Sequence, residues 1–309
     1  MSVVLKTAIP LFLLAVAGLI SRKFNILKKG DERVLSEYLY YFAFPSLLFV
    51  NMSEIPLAFE QARFVIIACI PIFILFILYL LAYVIFRFSQ KIFYLLIVGS
   101  FLGSLAFFGI PFITFAYQSP EAEQIAVLVI SSLALLTVTI VMIILEMSKL
   151  RDRSFSESVR VVARRLVKNP LIISIVLGVC VSIFKIQLPE WLARPLHMIG
   201  GTTATIGIFT LGVFLYGRRY SHLLPAVLLS LVRAFVLPAI AFFLIKVTPL
   251  ESLEKSIVVL MHGMPVAVSL FVLSERYNFY KDLIASLVLV SSVTSVISLN
   301  VWVLVLGGL

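Results

Sequence analysis

The stretch GIPF at residues 109–112 lies inside an apolar segment long enough to cross a membrane, and GMPV at residues 263–266 lies inside a second one. Glycine weakens an α-helix, and proline removes a backbone donor and collides with the preceding turn. Both stretches therefore predict a helix that breaks or kinks within its span. Because free backbone groups are costly in hydrocarbon, other parts of the protein must satisfy them.

The composition places both stretches in an integral membrane protein. Of 309 residues, 62% are hydrophobic and 13% are charged, and the mean hydropathy is +1.14, far above that of a soluble domain. Ten runs have the length and polarity of a membrane-spanning helix, and the connections between them are too short for a separate soluble domain. The runs cover residues 3–20, 34–52, 64–86, 92–117, 122–148, 170–186, 191–216, 223–245, 256–274 and 283–305.

The basic residues indicate how the chain lies in the membrane. The connections after the first, third, fifth, seventh and ninth predicted spans hold 18 of the 25 Lys and Arg residues. By the positive-inside rule these connections are cytoplasmic, so both termini are predicted to lie outside a plasma or inner membrane. The net charge of +10 follows from this asymmetry. We therefore expect the lipid bilayer, and no nucleic acid, as the partner of the basic face.

The sequence indicates two similar halves. Pro10 and Gly18 are eight residues apart in the first predicted span, as are Pro170 and Gly178 in the sixth, and GIP in the fourth span corresponds to GMP in the ninth. Each half contains five spans, an odd number, so the second half enters the membrane from the opposite side. This is the inverted-topology repeat of many secondary transporters.

We therefore predict an all-α membrane protein of ten transmembrane helices in two inverted five-helix repeats, with helices 4 and 9 broken. Residues 1–148 form the first repeat and residues 170–309 the second. Residues 149–169 form a cytoplasmic linker, in which Ser154 and Glu157 have the spacing of a capping box that begins an amphipathic helix.

The two broken helices predict a binding site. In inverted-repeat transporters such helices cross near the middle of the membrane, and their free amides and carbonyls bind the solute, with helix N-termini suited to anions. The alternative is a pair of kinks that only help helix packing. On the first interpretation, Gly109, Pro111, Gly263 and Pro265 shape the site.

Ionisable residues narrow the kind of solute. No acidic residue lies near the middle of a predicted span, and Glu37 and Glu146 come closest to being embedded. A proton-driven cation antiporter would need such a carboxylate, whereas an anion would be repelled by one. An anionic substrate therefore fits the sequence better.

Two embedded basic residues have two interpretations each. Arg233, in the eighth predicted span, either pairs with a substrate carboxylate or bonds neighbouring carbonyls. His262, just before GMP, either titrates and gates transport or is a hydrogen-bonded packing residue. The hydroxyls of Ser46 and Thr205 either line the cavity or mediate helix packing.

Four stretches resemble the auxin efflux carrier family: YFAFPSLLF at 41–49, FFGIPF at 107–112, NPLIISIVLG at 169–178 and MPVAVSLFVLSERY at 264–277. The likeness covers essentially the whole chain. It implies ten helices in two inverted repeats, a crossover of helices 4 and 9, a scaffold of helices 1, 2, 6 and 7, and a moving core formed by the others. It also implies transport of small organic anions, a fold related to that of the sodium-coupled bile acid carriers, and a homodimer that the residues themselves do not indicate.

The chain departs from the family at three positions of the implied site. Ser104 and Ser269 stand where the family usually has other residues in helices 4 and 9, asparagine in the case of Ser104, and Thr205 stands where helix 7 commonly has proline. Hydroxyls still donate to a carboxylate, but the changes leave the substrate open. The predicted substrate-binding set is Pro45, Ser46, Ser104, Gly109, Pro111, Thr205, Arg233, Gly263, Pro265 and Ser269, with His262 as a gating residue.

These observations predict a secondary carrier of small organic anions, above all carboxylates, that works by alternating access. The carrier either exports these anions or moves them by uniport driven by the membrane potential. Two alternatives stay open: a sodium-coupled importer, with sodium held by hydroxyls and broken-helix carbonyls, and a membrane sensor that binds a ligand without moving it. No cofactor is expected. Because HExxH, GxSxG and paired midplane aspartates are absent from the sequence, an enzyme is not predicted.

Overall fold

A computed structural model describes residues 3–54, 59–149, 161, 163–164, 167–217 and 222–307. This part of the chain is helical and contains no β-strand. The capping box and most of the predicted linker helix at 149–169 lie outside the described residues.

The helices fall on the predicted spans, one helix or two consecutive helices to a span. In chain order they are α1 (Val3–Lys23), α2 (Asp31–Tyr38), α3 (Phe44–Ser53), α4 (Phe59–Phe86), α5 (Gln90–Phe101), α6 (Ile110–Tyr117), α7 (Pro120–Ser148), α8 (Pro170–Ile183), α9 (Glu190–Leu215), α10 (Leu223–Leu231), α11 (Leu237–Lys246), α12 (Ser252–His262), α13 (Val268–Tyr277) and α14 (Lys281–Leu306). Turns of π-helix at Leu39–Ala43, Leu105–Gly109 and Val232–Val236 lead directly into α3, α6 and α11.

Five helical segments of the described chain are long and apolar enough to cross a membrane, and α5 and α8 are shorter apolar helices. The chain is therefore a multi-pass membrane protein, while the full set of ten crossings and the inverted repeat stay predictions. The five segments are Arg63–Phe86, Pro120–Ser148, Glu190–Phe214, Leu223–Lys246 and Lys281–Leu306.

Each π-helical turn ends two residues before a proline. Pro45, Pro111 and Pro238 lie in the first turns of α3, α6 and α11. Proline has no N–H, and in a regular α-helix its ring collides with the carbonyl four residues earlier, so a wider turn lets the helix continue. The GIP motif therefore marks a local π-helical turn, and the break in this span lies earlier, at Leu102–Ser104. In the ninth span the break does contain GMP, between α12 and α13.

The helices form two groups that pack mainly within themselves. The first group contains α1 to α3, α8 and α9, and the second contains α4 to α7 and α10 to α14. This division matches the scaffold and core that the family resemblance implies. Residues 256–268, which include the break between α12 and α13, are all buried.

Glycines allow the helices of the first group to touch through their backbones. A Cβ atom on Gly18 of α1 would lie 2.0 Å from the Phe209 oxygen of α9, and one on Gly212 of α9 would lie 1.8 Å from the Ala15 oxygen of α1. A Cβ atom on Gly178 of α8 would lie 2.6 Å from the Phe49 oxygen of α3. Small residues at such contacts are the usual means of close helix packing in membranes.

Candidate functional site

The two broken helical segments meet at a short antiparallel bridge between Gly103 and Val266. We call this meeting point the crossover, while the crossing of the complete fourth and ninth spans stays a prediction. The Ser104 amide donates to the Pro265 oxygen at 2.7 Å, and the Ala267 amide donates to the Leu102 oxygen at 2.8 Å. Each broken segment therefore satisfies backbone groups that the other has freed, as a hydrocarbon environment requires.

A side chain from α14 satisfies a further amide of the crossover. The Val266 N–H donates to Ser291 Oγ at 3.1 Å, and the Ser291 hydroxyl in turn donates to the Val288 oxygen at 3.1 Å. Nothing in the sequence distinguishes Ser291 from the many other serines of the predicted spans. Its role depends on the packing of α14 against the crossover.

Arg233 lies in the π-helical turn between α10 and α11 and is 2% exposed. Its Nε donates to the Met264 oxygen at 2.9 Å, and its Nη1 donates to the Ser100 oxygen at 3.0 Å and the Phe101 oxygen at 3.4 Å. These carbonyls stand at the end of α5 and just beyond the end of α12. The structure therefore gives Arg233 the carbonyl-bonding role, and contact with a substrate stays a prediction.

Gly103 provides the space that Arg233 occupies. A Cβ atom on Gly103 would lie 1.7 Å from Arg233 Nη2 and 2.7 Å from its Cζ, so a side chain at this position would collide with the guanidinium. Sequence reasoning did not identify Gly103. Its LGS context contains no proline, and the requirement for glycine comes from a residue more than a hundred positions away.

His262 is fully buried at the end of α12. Its Nε2 lies 2.9 Å from the Ala68 oxygen of α4, and because a carbonyl only accepts, Nε2 carries the proton. Nδ1 has no hydrogen-bond partner in the described part of the chain. These contacts fit the packing interpretation of His262, and a gating role stays a prediction.

Two small cavities adjoin the crossover. One of about 80 Å³ lies between the crossover, α3 and α7, and its polar lining comes from Asn51, Ser104, Thr137 and Ser269. The other, of about 40 Å³, lies between the crossover, α1, α9 and α14, and includes Pro265 and Ser292. Ser104 lines both cavities.

Ser104, Pro265 and Ser269 are thus the members of the predicted site that line a crossover cavity. The other members occupy different positions. Gly109 packs against α12, where an added Cβ atom would lie 2.8 Å from Met261 Sδ, and Gly263 ends that helix. Pro111 lies in the first turn of α6.

Three further predicted residues belong to the first helix group. Pro45 is half-buried and Ser46 buried in α3, while Thr205 is exposed on α9. Phe44, Leu47, Leu48 and Asn51 of α3 line the 80 Å³ cavity instead. Asn51 was detectable, since it is an amide side chain inside an apolar span.

A larger cavity of about 840 Å³ opens at the end of the protein that the charge distribution predicts to be cytoplasmic. Pro170 and Val272 line this cavity, and the next residues in the chain, Leu171 and Leu273, line the 80 Å³ cavity. The two linings are therefore neighbours along α8 and α13.

A hydrogen-bonded network in this large cavity joins the two helix groups. The Tyr277 hydroxyl of α13 donates to Glu146 Oε1 of α7 at 2.7 Å. Asn169, which caps α8, donates from Nδ2 to the hydroxyls of Tyr40 at 3.0 Å and Tyr277 at 3.4 Å. Any relative movement of the two groups at this end must change these contacts.

Comparison with known proteins supports a role in transport. Residues 3–303 match the model of a family described as membrane transport protein. The chain is also similar to an uncharacterized transporter of Methanocaldococcus jannaschii, with 25% identity over 301 residues that cover 94% of each chain.

Proposed function

Since the chain belongs to the membrane transport protein family, the auxin efflux carrier family, we propose that it is a secondary carrier of small organic anions that works by alternating access. Membership places the protein among membrane transporters. The proposal adds the class of solute, the position of its site at the crossover and the mode of transport.

The orientation of the half-helices at the crossover carries the proposal. Ser104 precedes the π-helical turn that leads into α6, and Ala267 precedes α13, so both residues mark the N-terminal end of a half-helix. Both line the 80 Å³ cavity. The amides of Ser104 and Ala267 are already hydrogen-bonded across the bridge, but a helix N-terminus also carries a charge of about +0.5, which suits an anion.

The opposite helix ends do not cancel this field, because Arg233 already binds them. The guanidinium bonds carbonyls at the ends of α5 and α12, where a helix carries about −0.5 of charge. Among the described residues no carboxylate forms an ion pair with Arg233, and no Asp or Glu is found in the lining of the 80 Å³ cavity. The resulting positive potential favours a carboxylate.

The size of the cavity favours a short substrate. Its volume is about 80 Å³, whereas an apolar cavity of about 150 Å³ is known to hold benzene. Hydroxyl and amide groups of Ser104, Ser269 and Asn51 supply donors for carboxylate oxygens, whereas the Thr137 hydroxyl donates to the Leu133 oxygen at 2.7 Å. We therefore infer a carboxylate of a few carbon atoms, without an aromatic ring.

The packing of the glycines supports an inverted repeat. Gly18 and Gly178 correspond in the predicted repeat, and they lie against α9 and α3, which belong to the corresponding seventh and second spans. The 840 Å³ cavity supports a conformation open to the cytoplasm. Movement of the second helix group against the first would then expose the crossover to the outer side of the membrane. In this orientation both termini lie outside.

Transport of a net negative charge is electrogenic, so the experiment is to record currents from purified protein in proteoliposomes on a solid-supported membrane. Rapid jumps of short mono- and dicarboxylates in potassium buffer should give currents whose sign follows the anion. Currents that need sodium would indicate the coupled importer instead. Absence of current from every carboxylate, together with thermal stabilisation by one of them, would indicate a sensor or an electroneutral carrier and refute electrogenic transport.

A further inference from the structure

The carbonyl cluster at the crossover already contains a cation that belongs to the protein. In carriers built from broken helices, unwound carbonyls and half-helix C-termini are the groups that coordinate a coupling sodium ion or proton. Here the oxygens of Ser100, Phe101 and Met264 all accept hydrogen bonds from Arg233.

We propose that the Arg233 guanidinium is a resident cation that takes the place of a coupling ion at this cluster, so that neither sodium nor potassium binds there during transport. The proposal rests on the carrier function proposed above. It concerns the coupling of the carrier and does not depend on which anion is transported.

The charges at the cluster are balanced by one guanidinium. The ends of α5 and α12 together carry about one negative charge, at about −0.5 each. Arg233 supplies one positive charge and is 2% exposed. A second cation would lie beside a buried positive charge in a medium of low dielectric constant, without a carboxylate among the described residues to offset it.

The surroundings fix the guanidinium in this position. Gly103 leaves the space for Nη2, since a Cβ atom there would lie 1.7 Å from that nitrogen. The turn that holds Arg233 is itself held by α14, because Trp302 Nε1 donates to the Ala234 oxygen at 2.9 Å. The Tyr79 hydroxyl lies 2.9 Å from Ser100 Oγ and so ties α4 to the helix end that Arg233 binds. The cation is thus part of a packed unit.

The test is to measure thermal unfolding of purified Arg233→Ala in detergent with added methylguanidinium, sodium, potassium or choline at constant ionic strength. The variant lacks a cation at the carbonyl cluster, so methylguanidinium should raise its unfolding midpoint saturably by several degrees. Neither wild-type protein nor Arg276→Ala, which removes an arginine from the large cavity, should respond in this way. Lack of rescue in a folded Arg233→Ala protein would refute the proposal.

Wild-type protein provides a second test that needs no variant to fold. Its unfolding midpoint should be equal in sodium, potassium and choline chloride, and carboxylate currents should be equal in sodium and potassium. Saturable stabilisation by sodium over choline would overturn the resident-cation role. Because the stability measurements need no transport, they stand even if the protein carries no carboxylate current.

Discussion

Adding one methyl group at Gly103 tests how tightly the crossover is built. In Gly103→Ala the new Cβ atom would lie 1.7 Å from Arg233 Nη2, 2.7 Å from Cζ and 3.3 Å from Nε. An exposed arginine would swing aside at little cost. Arg233 is 2% exposed and bonded to three carbonyl oxygens, so either the guanidinium leaves these partners or the bridge between Gly103 and Val266 opens.

The expected loss of stability is large for a single methyl group. A hydrogen bond to a charged group contributes about 1.5–3 kcal/mol. Displacing the guanidinium from two of its carbonyls should therefore lower the free energy of unfolding by about 3–6 kcal/mol. This is a substantial part of the about 5–15 kcal/mol that stabilises a typical protein.

The assay compares thermal unfolding of the purified variant in detergent, and its carboxylate currents, with those of wild-type protein and of Gly201→Ala. Gly201 is the matched control because a Cβ atom there meets nothing within 4 Å. Alanine also favours a helix over glycine by about 1 kcal/mol, so the control should be neutral or stabilised. Wild-type stability and currents in Gly103→Ala would refute the view that Arg233 is fixed against the crossover.

Three further substitutions test the site, the helix packing and the large cavity. Ser269→Trp should fill the 80 Å³ cavity and abolish carboxylate currents in a folded protein. The control Leu177→Trp, on an exposed face of α8, should keep these currents. Full activity of Ser269→Trp would show that α13 is not part of the site. Gly212→Ala should force α1 away from α9, since its Cβ atom would lie 1.8 Å from the Ala15 oxygen. The variant should have a lower unfolding temperature and a smaller monodisperse fraction in size-exclusion chromatography. Behaviour equal to that of Gly201→Ala, on the same helix, would contradict this close contact. Tyr277→Phe removes a hydrogen-bond donor from the buried Glu146 carboxylate and should lower the free energy of unfolding by about 1–3 kcal/mol. The control is Tyr280→Phe, since Tyr280 is exposed. Equal stability of the two variants would show that the bond to Glu146 has no net effect.

Local chemistry made much of the fold predictable. The length and polarity of an apolar run determine whether it can form a membrane-spanning helix, and all ten predicted runs fall on helical segments. The glycine and proline of GMP predicted the break between α12 and α13, since these residues act on their own helix. The GIP motif predicted a break in the fourth span, and this span is broken. The helix continues through Pro111 because a π-helical turn precedes it, and the break lies earlier, at Leu102–Ser104.

The candidate site was predictable only in part. Pro265 was identified from the GMP motif, Ser104 and Ser269 were identified from the family resemblance, and all three line cavities at the crossover. Asn51 was detectable as an amide in an apolar span but was not singled out, and Thr137 was not identified because membership of a cavity depends on which helices pack together.

Apolar length, glycine and proline act within a few residues, so they were enough to identify a helical membrane protein with broken helices. The groups that satisfy the broken ends became known only from the folded chain. Arg233 reaches Ser100 across 133 positions in the chain, and Gly103 must be glycine because that guanidinium lies against it. Hydrogen bonds and close contacts depend on distances in space, and a sequence with two interpretations for a buried arginine cannot choose between them until the fold places its partners.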